Sequence, residues 1–199
     1  MNILLLSPHA DDIELGCGGA VERFVEEKHS ILWVVFTATE LLIYEHMEAI
    51  REVGLTIDEC LNLDYENRRL FERRQDILDR LIAIKTGFKP DLVIGPSLKD
   101  CHQDHNVVAK EMVRAFKTSS SIICYELPWN HITFDTQIFV RLDKRHAEKK
   151  MAMLRKFNSQ LPLRARTFTK EFVMGALAVR GAQVGSEYAE AFEALRWII

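Results

Sequence analysis

Short apolar runs alternate with longer amphipathic stretches along most of this chain, and few folds other than a layered α/β sheet accommodate such an alternation. Turn residues bound the runs, as they do for strands buried in a parallel sheet. The stretches between them have the periodicity of helices, which is typical of strand–helix–strand units. Strands are predicted at Asn2 to Leu6, Ile31 to Thr37, Glu59 to Leu63, Asp91 to Gly95, Ser121 to Tyr125 and Gln137 to Leu142.

Helices are predicted between these strands. In one of them, Arg68 to Lys85, the apolar side chains lie on one face and the charges elsewhere, which indicates packing against a sheet. The pattern as a whole predicts an α/β fold, a Rossmann-like, doubly wound three-layer sandwich with a mostly parallel sheet. The other predicted helices are Gly18 to Glu27, Leu41 to Val53 and Asn106 to Phe116.

The last third of the chain has a different character. A strongly basic helix is predicted from Asp143 to Ser159, a second helix from about Thr167, and a final strand from Phe192 to Ile198. The basic run in the first of these is typical of a solvated helix face. Because no linker, repeat or low-complexity segment interrupts the sequence, we expect residues 1–199 to form a single domain.

Composition excludes several classes of protein. A net charge of −3 over 199 residues offers no basic excess for phosphate backbones, so no nucleic-acid partner is expected. No apolar run approaches the roughly 20 residues that span a bilayer, and the N-terminus lacks the features of a signal peptide. We therefore expect a cytoplasmic protein without membrane insertion. The four cysteines form no CxxC pair, and Cys17 and Cys101 are predicted to be buried structural thiols.

The segment directly after the first predicted strand carries the first candidate site residues. It reads Ser-Pro-His-Ala-Asp-Asp and contains His9, Asp11 and Asp12. An imidazole and a carboxylate three residues apart on a tight loop can converge on one cation, with a second carboxylate facing an open coordination position. Taken alone, such a segment is more often a turn or a helix cap.

A second polar segment follows the predicted strand that ends at Gly95. It reads His-Gln-Asp-His and contains His102, Asp104 and His105. In a doubly wound sheet, the carboxyl ends of the first and fourth strands flank the switch point where ligands bind. The two segments are therefore expected to meet in one crevice, and it is their pairing that favours a functional site over two unrelated loops.

These two segments resemble the signatures of the PIG-L (LmbE-like) family of zinc-dependent N-deacetylases, a PHxDD segment and a later HxDH segment. Ala10 departs from the family, which more often has proline there, but the change removes no functional group. Weaker similarities follow in family order at Arg51 to Gly54, Asn158 to Gln160, Arg180 to Gly181 and Tyr188 to Phe192.

The resemblance implies a metal site whose ligands are His9, Asp12 and His105. Two neutral imidazoles and one carboxylate leave a divalent cation with positive charge and an open position, which lowers the pKa of bound water towards about 7. Zinc is the family expectation, while the donor types also suit Fe²⁺ and other divalent ions.

The resemblance also implies catalytic roles. Asp11 is expected to be the general base, His102 to stabilise the oxyanion in its protonated form, and Asp104 to orient His102. Hydrolysis of an amide in this way releases a carboxylate and an amine, the leaving nitrogen being protonated by Asp11 or His102. The resemblance implies an N-acetylated amino sugar or sugar conjugate as the substrate, and acetate as the acid released.

Three further residues are candidate substrate contacts. Arg51 lies where the family has a substrate-binding arginine, the alternative being an ordinary pair with Glu48 or Glu52. Trp129 and His131 follow the fifth predicted strand and are expected near the mouth of the crevice, since aromatic rings stack well on sugars; a core or oligomer contact is the alternative for Trp129. Trp129 and Trp197 also suggest a possible homo-oligomer.

The glycines at positions 16, 18 and 19 suggest a competing function, a nucleotide-binding module without hydrolytic activity. Their spacing, GxGG, does not match the dinucleotide fingerprint, because Val21 stands where the third glycine belongs. Close packing of helix on sheet explains these glycines better.

Overall fold

The fold is built around a single seven-stranded sheet, seen in a computed structural model that describes residues 1–198. Its strands are β1 (Asn2–His9), β2 (Ser30–Thr37), β3 (Cys60–Asn62), β4 (Leu92–Gly95), β5 (Ser121–Tyr125), β6 (Ile138–Leu142) and β7 (Tyr188–Arg196). Their order across the sheet is β3-β2-β1-β4-β5-β7-β6. The first five of these positions are parallel, and β7 runs antiparallel to both of its neighbours.

Helices cover both faces of the sheet, as the predicted three-layer sandwich requires. The helices α1, α2, α5 and α6 contribute to the hydrophobic core on one face, and α3 and α4 to the core on the other. Short 3₁₀ turns lie at Ile57–Glu59 and Leu70–Arg73. The helices are α1 (Asp12–Glu26), α2 (Glu40–Arg51), α3 (Arg74–Phe88), α4 (Gln103–Phe116), α5 (Lys144–Leu154) and α6 (Lys170–Gln183).

The order of the strands fixes where a ligand can bind. From β1 the chain moves outwards to β2 and β3, and then returns to place β4 on the other side of β1. The carboxyl ends of β1 and β4 therefore border the point at which the winding reverses, where open α/β sheets have their binding crevice. Both polar segments of the sequence lie at this point.

The last strand begins earlier than predicted, at Tyr188 instead of Phe192. The sequence did not predict the first part of this strand because the strand contains Glu190 and Glu193, and charged residues are uncommon in a strand inside a sheet. Both carboxylates are buried with cationic partners: Glu190 pairs with Lys150 at 2.6 Å, and Glu193 pairs with Lys99 at 2.6 Å. Pairing removes much of the cost of burying the charge, so the strand can form there.

The first helix also begins earlier than predicted, at Asp12 instead of Gly18, and it is irregular at Cys17. The buried pair of Lys150 and Glu190 satisfies backbone groups on both sides of this irregularity. Lys150 Nζ donates to the carbonyl of Leu15 at 2.6 Å, and Glu190 accepts from the N–H groups of Gly19 and Ala20 at 3.1 and 2.6 Å. The carboxylate thus acts as a cap for the second part of α1.

Gly16 allows α1 to approach the sheet, and replacing it by alanine is expected to lower the free energy of unfolding by about 2 kcal/mol. A Cβ atom at this position would lie 2.6 Å from the ring of Tyr125, which is fully buried and cannot move aside. Gly175→Ala is the matched control, because nothing lies within 4 Å of a Cβ there and the change is expected to stabilise α6 by up to about 1 kcal/mol. Urea unfolding of both variants tests the argument; equal stability of Gly16→Ala and the wild type would contradict it.

Candidate active site

The two polar segments meet at the carboxyl ends of neighbouring strands. His9 is the last residue of β1, and Asp12 begins α1 directly after Asp11. His102 caps the N-terminus of α4, which carries Asp104 and His105 in its first turn. Because β1 pairs directly with β4, the side chains of both segments lie within contact distance of one another.

Three donor atoms from the two segments form a small triangle. Nδ1 of His9 lies 3.0 Å from Nε2 of His105, and Oδ2 of Asp12 lies 3.3 and 3.2 Å from these two nitrogens. Ligands held at 2.0–2.1 Å in a tetrahedral arrangement are separated from each other by about 3.3 Å. The spacing and the donor types therefore fit a cation such as zinc, and the three residues are those predicted as its ligands.

His102 lies next to this triangle. Ring nitrogens of His9, His102 and His105 all fall within 4.8 Å of one another, so the three histidines also form a candidate metal-binding group. The closer spacing of the Asp12 carboxylate to His9 and His105 favours Asp12 over His102 as the third donor. His102 is then left to face the remaining space of the site.

Both imidazoles of the triangle are oriented by carboxylates behind them. Nδ1 of His105 bonds to Oδ2 of Asp100 at 2.7 Å, and Nε2 of His9 contacts Oδ2 of Asp104 at 3.3 Å. A carboxylate on one ring nitrogen holds the proton there and directs the lone pair of the other nitrogen into the site. Such pairs are common behind metal-binding histidines.

The contacts of Asp104 differ from those expected from the sequence, which assigned Asp104 to orient His102. Its carboxylate contacts His9 instead, and it is held there by the backbone N–H groups of Arg68 and Leu70 at 2.7 and 3.4 Å. Only the backbone N–H of Asp104 contacts the His102 ring, donating to Nδ1 at 3.2 Å. The geometric reason is the helix cap: His102 precedes α4, and its ring folds over the first turn.

The charges of the site are arranged to hold positive charge. Burial acts to lower the pKa of His9, but hydrogen bonds to Asp104 and Asp12 raise it to about 10. Burial likewise opposes protonation of His105, and the carboxylates of Asp12 and Asp100 raise its pKa to about 9. The pKa of Asp12 is held well below its usual range: burial raises it, but His105 and His9 outweigh that effect.

Asp11 is the N-cap residue of α1, yet its carboxylate does not cap the helix. Helix capping, the ordinary alternative for an aspartate in this position, is therefore not what the side chain does. Its Oδ2 lies 2.8 Å from Nε of Arg164 in an ion pair that lacks hydrogen-bond alignment. Burial raises the pKa of Asp11, with Arg164 opposing and Asp12 adding to the shift. The carboxylate therefore makes no capping hydrogen bond to the backbone of α1.

His102 is half-buried, and its surroundings favour the neutral ring. Burial and the neighbouring His105 and His9 lower its pKa. Since Nδ1 accepts the backbone N–H of Asp104, the proton of the neutral ring is on Nε2, where it can be donated. This differs from the expectation of a protonated His102, because the lowered pKa favours a neutral ring that acts as an N–H donor.

An open cleft of about 280 Å³ borders these residues. Its size is close to the lower end of the range of small-molecule sites. Hydroxyls, amides and charged groups on its walls can form hydrogen bonds with a hydroxylated ligand. The residues that line it are His9, Asp11, Thr37, Ala38, Thr39, Leu42, Tyr65, Glu66, Asn67, Gln160 and Arg164.

The three predicted substrate contacts lie outside this cleft lining. Arg51 ends α2, whose beginning borders the cleft, and its exposed side chain pairs with Glu48, as the alternative interpretation proposed. Trp129 packs near Phe172, with ring centroids 6.0 Å apart, and borders a separate groove with Arg164. His131 stacks on Phe134, and its backbone pairs with that of Asp100.

The cysteine prediction is half right. Cys17 is buried, but Cys101 is exposed, because it lies on the loop between Asp100 and His102 that forms the rim of the site. Exposure of Cys101 contradicts its assignment as a buried structural thiol.

The glycines lie where helix packing requires them, which disfavours the nucleotide-binding alternative. The backbone N–H groups of Gly19 and Ala20, which a phosphate-binding loop would present to its ligand, are already bonded to Glu190. The Gly16 position faces Tyr125 inside the core.

Sequence reasoning missed two residues of the site, Asp100 and Arg164. Asp100 bonds to the ring of His105, to the backbone of His102 and to Asn130 at 3.2 Å. Its position two residues before His102 was the available signal. Arg164 comes from a turn between α5 and α6, far along the chain, and no local pattern connects it to Asp11.

Fold and site together define a class: a doubly wound α/β protein with a histidine–carboxylate cluster at its switch point. A search of family models agrees with this class and matches residues 4–116 to PIG-L, described as GlcNAc-PI de-N-acetylase. This chain belongs to the PIG-L family of deacetylases.

Individual relatives match most of the chain, one by sequence and two by structure. The "uncharacterized deacetylase YaiS" of Escherichia coli (strain K12) is 29% identical over 167 residues, which are 79% of this chain and 90% of that protein. N,N'-diacetylchitobiose deacetylase from Pyrococcus horikoshii has a TM-score of 0.73 at 17% identity and covers 98% of this chain and 83% of its own. GalB, the 4-carboxy-2-hydroxymuconate hydratase from Pseudomonas putida KT2440, has a TM-score of 0.80 at 17% identity, with 100% and 97% coverage.

Proposed function

We propose that this protein is a metal-dependent hydrolase that removes the acetyl group from an N-acetylated amino sugar or sugar conjugate. The observation that carries the proposal is the triangle of His9, Asp12 and His105, whose donor atoms lie 3.0 to 3.3 Å apart beside the carboxylate of Asp11, which does not cap α1. The fold alone does not decide the reaction, because the hydratase GalB has it too.

The three donors are proposed to hold one divalent cation, zinc in the first instance and Fe²⁺ as an alternative. Bound there, such a cation supplies Lewis-acid polarisation of a carbonyl and a water of lowered pKa. Asp104 and Asp100 are proposed to keep His9 and His105 in the tautomers that present a lone pair to the site.

Asp11 is proposed as the general base. Its carboxylate lines the cleft next to His9 and is free of helix capping, so it can accept a proton from the attacking water. The same carboxyl group can then pass that proton to the leaving nitrogen, which must be protonated before the C–N bond breaks. Arg164, from the C-terminal part of the chain, lines the same cleft, and its guanidinium compensates the charge of Asp11.

His102 is proposed to stabilise the developing oxyanion. Its Nδ1 accepts the N–H of Asp104, so its Nε2 can offer a hydrogen bond to the substrate oxygen as negative charge accumulates there. Because that donation requires only the neutral ring, the lowered pKa of His102 does not impair it. Asp104 contributes through its backbone to the orientation of His102 and through its carboxylate to that of His9.

The proposed substrate class draws on the relatives and on the cleft. The family and the Pyrococcus horikoshii deacetylase are both named for N-acetylated sugars. In this chain, hydroxyl and amide side chains border the cleft, and these suit the hydroxyls of a sugar ring. Arg51, Trp129 and His131 lie outside the cleft lining, so sugar recognition is proposed to rest first on Thr37, Tyr65, Asn67 and Gln160.

The experiment that tests the function measures metal content and amine release together. Purified protein, stripped with a chelator and reconstituted with Zn²⁺ or Fe²⁺, is assayed on N-acetylglucosamine and on its glycosides for free amine and acetate. We expect about one metal ion per chain, stoichiometric release of both products, and loss of activity on stripping that is reversed by metal. Reconstituted protein that holds no metal, or that hydrolyses no N-acetyl sugar, would refute the proposal.

A further inference from the structure

A second cluster of reactive side chains lies behind the candidate active site, between α2 and the edge strand β3. Nδ1 of His46 bonds to Oε1 of Glu14 at 2.7 Å, and its other nitrogen, Nε2, lies 3.4 Å from Sγ of Cys60. A thiol, an imidazole and a carboxylate are thus joined in series. The same order of groups activates cysteine nucleophiles in enzymes, where the third group orients the ring.

The imidazole in the middle of this series is held rigidly. Both His46 and Glu14 are fully buried, and the ring of Trp33 meets that of His46 edge-on with centroids 5.0 Å apart. With Nδ1 committed to the carboxylate, only Nε2 is directed at the sulfur. Burial acts against a charged ring, but Glu14 and Cys60 outweigh it and raise the pKa of His46 to about 9. The ring therefore readily holds a second proton.

Cys60 can be reached from solvent, unlike the groups behind it. It is the first residue of β3, which lies at the edge of the sheet, and it is partly exposed. Cys17 and Cys124 are buried and Cys101 is exposed. Among the four thiols of the chain, Cys60 combines access with an imidazole contact, and Cys101 supplies an accessible thiol for comparison.

We propose that Cys60 is a nucleophilic thiol, activated by His46 and Glu14, and that it is a site of covalent modification by small uncharged electrophiles such as alkyl halides and hydroperoxides. The mechanism proposed for the hydrolase uses none of these three residues.

The chemistry of the site balances without any further group. A lone pair of Sγ forms a bond to the electrophilic atom while the bond from that atom to its leaving group breaks, and the thiol proton passes to Nε2 of His46. With iodoacetamide, an S–C bond forms and iodide leaves with the bonding electrons. With hydrogen peroxide, an S–O bond forms as the O–O bond breaks, and the hydroxide that leaves takes the proton as water; the sulfur loses two electrons and the peroxide gains them.

The test compares the alkylation rates of individual cysteines in the native, metal-loaded protein. Limiting iodoacetamide is added at pH 7.0, and the modified fraction of each cysteine is followed by mass spectrometry of peptides. We expect Cys60 to react at least about tenfold faster than Cys101, although Cys101 is the more exposed.

Substitution of the imidazole provides the second measurement. His46→Gln is expected to slow Cys60 by about tenfold and to leave Cys101 unchanged, while the control His29→Gln, which removes a histidine at the other end of β2, changes neither rate. If His46→Gln does not fold, the wild-type comparison still decides the question. Equal rates for Cys60 and Cys101 in the wild type, or an unchanged Cys60 rate in folded His46→Gln, would overturn the proposal.

Discussion

Asp11→Asn is expected to lower kcat for deacetylation by about 10²–10⁴-fold while leaving metal binding intact, since a positioned general base contributes about this much. The amide has nearly the shape of the carboxylate but cannot take a proton from water. It is also separate from the three donor atoms, which come from His9, Asp12 and His105. The substitution therefore separates the effect of proton transfer on kcat from any effect on metal binding.

The measurements are kcat and KM for amine release from an N-acetylated sugar, and metal content of the same sample. Because Asp11 is buried against Arg164, thermal unfolding of the variant confirms that lost activity is not lost structure. Asp79→Asn, which neutralises an exposed carboxylate on α3, is the matched control and should behave as wild type. An Asp11→Asn variant with undiminished kcat would exclude Asp11 as the base.

Most residues of the candidate site could be predicted from the sequence because they lie in two short segments. His9, Asp11 and Asp12 lie within four consecutive positions, as do His102, Asp104 and His105, and a doubly wound sheet forces the ends of its first and fourth strands together. Convergence of the two segments follows from topology. The direction in which each carboxylate points does not follow, and so the contact of the Asp104 carboxylate with His9 could not be predicted.

The residues that sequence reasoning missed act over long distances along the chain. Arg164 reaches Asp11 across about 150 positions, and Glu190 reaches the backbone of Gly19 across 171. Such contacts depend on how α5, α6 and β7 pack against α1, and no periodic pattern encodes them. The same contacts explain the misplaced boundaries of α1 and β7, since buried ion pairs let charged segments form regular structure inside the fold.

His105→Ala is expected to abolish both metal binding and activity, in contrast to Asp11→Asn. The substitution removes one corner of the donor triangle, leaves the buried carboxylate of Asp100 without its imidazole partner, and leaves Asp12 with His9 as its remaining imidazole partner. Two remaining donors hold a divalent ion weakly, so we expect metal affinity to fall by more than about 100-fold, beyond the 10–100-fold typical of an outer carboxylate. Metal competition against a chromophoric chelator measures the loss.

Asp100→Asn is expected to have a smaller effect than His105→Ala. It keeps the His105 ring but weakens the 2.7 Å hydrogen bond that orients this ring. We expect its affinity for metal to fall by about 10–100-fold, and its activity to return when metal is in excess. His29→Ala, a histidine at the opposite end of the sheet, is the control and should keep both properties. If His105→Ala binds metal as tightly as wild type, the donor set must be reassigned, with the nearby ring of His102 as the replacement. If excess metal restores Asp100→Asn but not His105→Ala, then the donor triangle itself, and not merely the charge around it, creates the site.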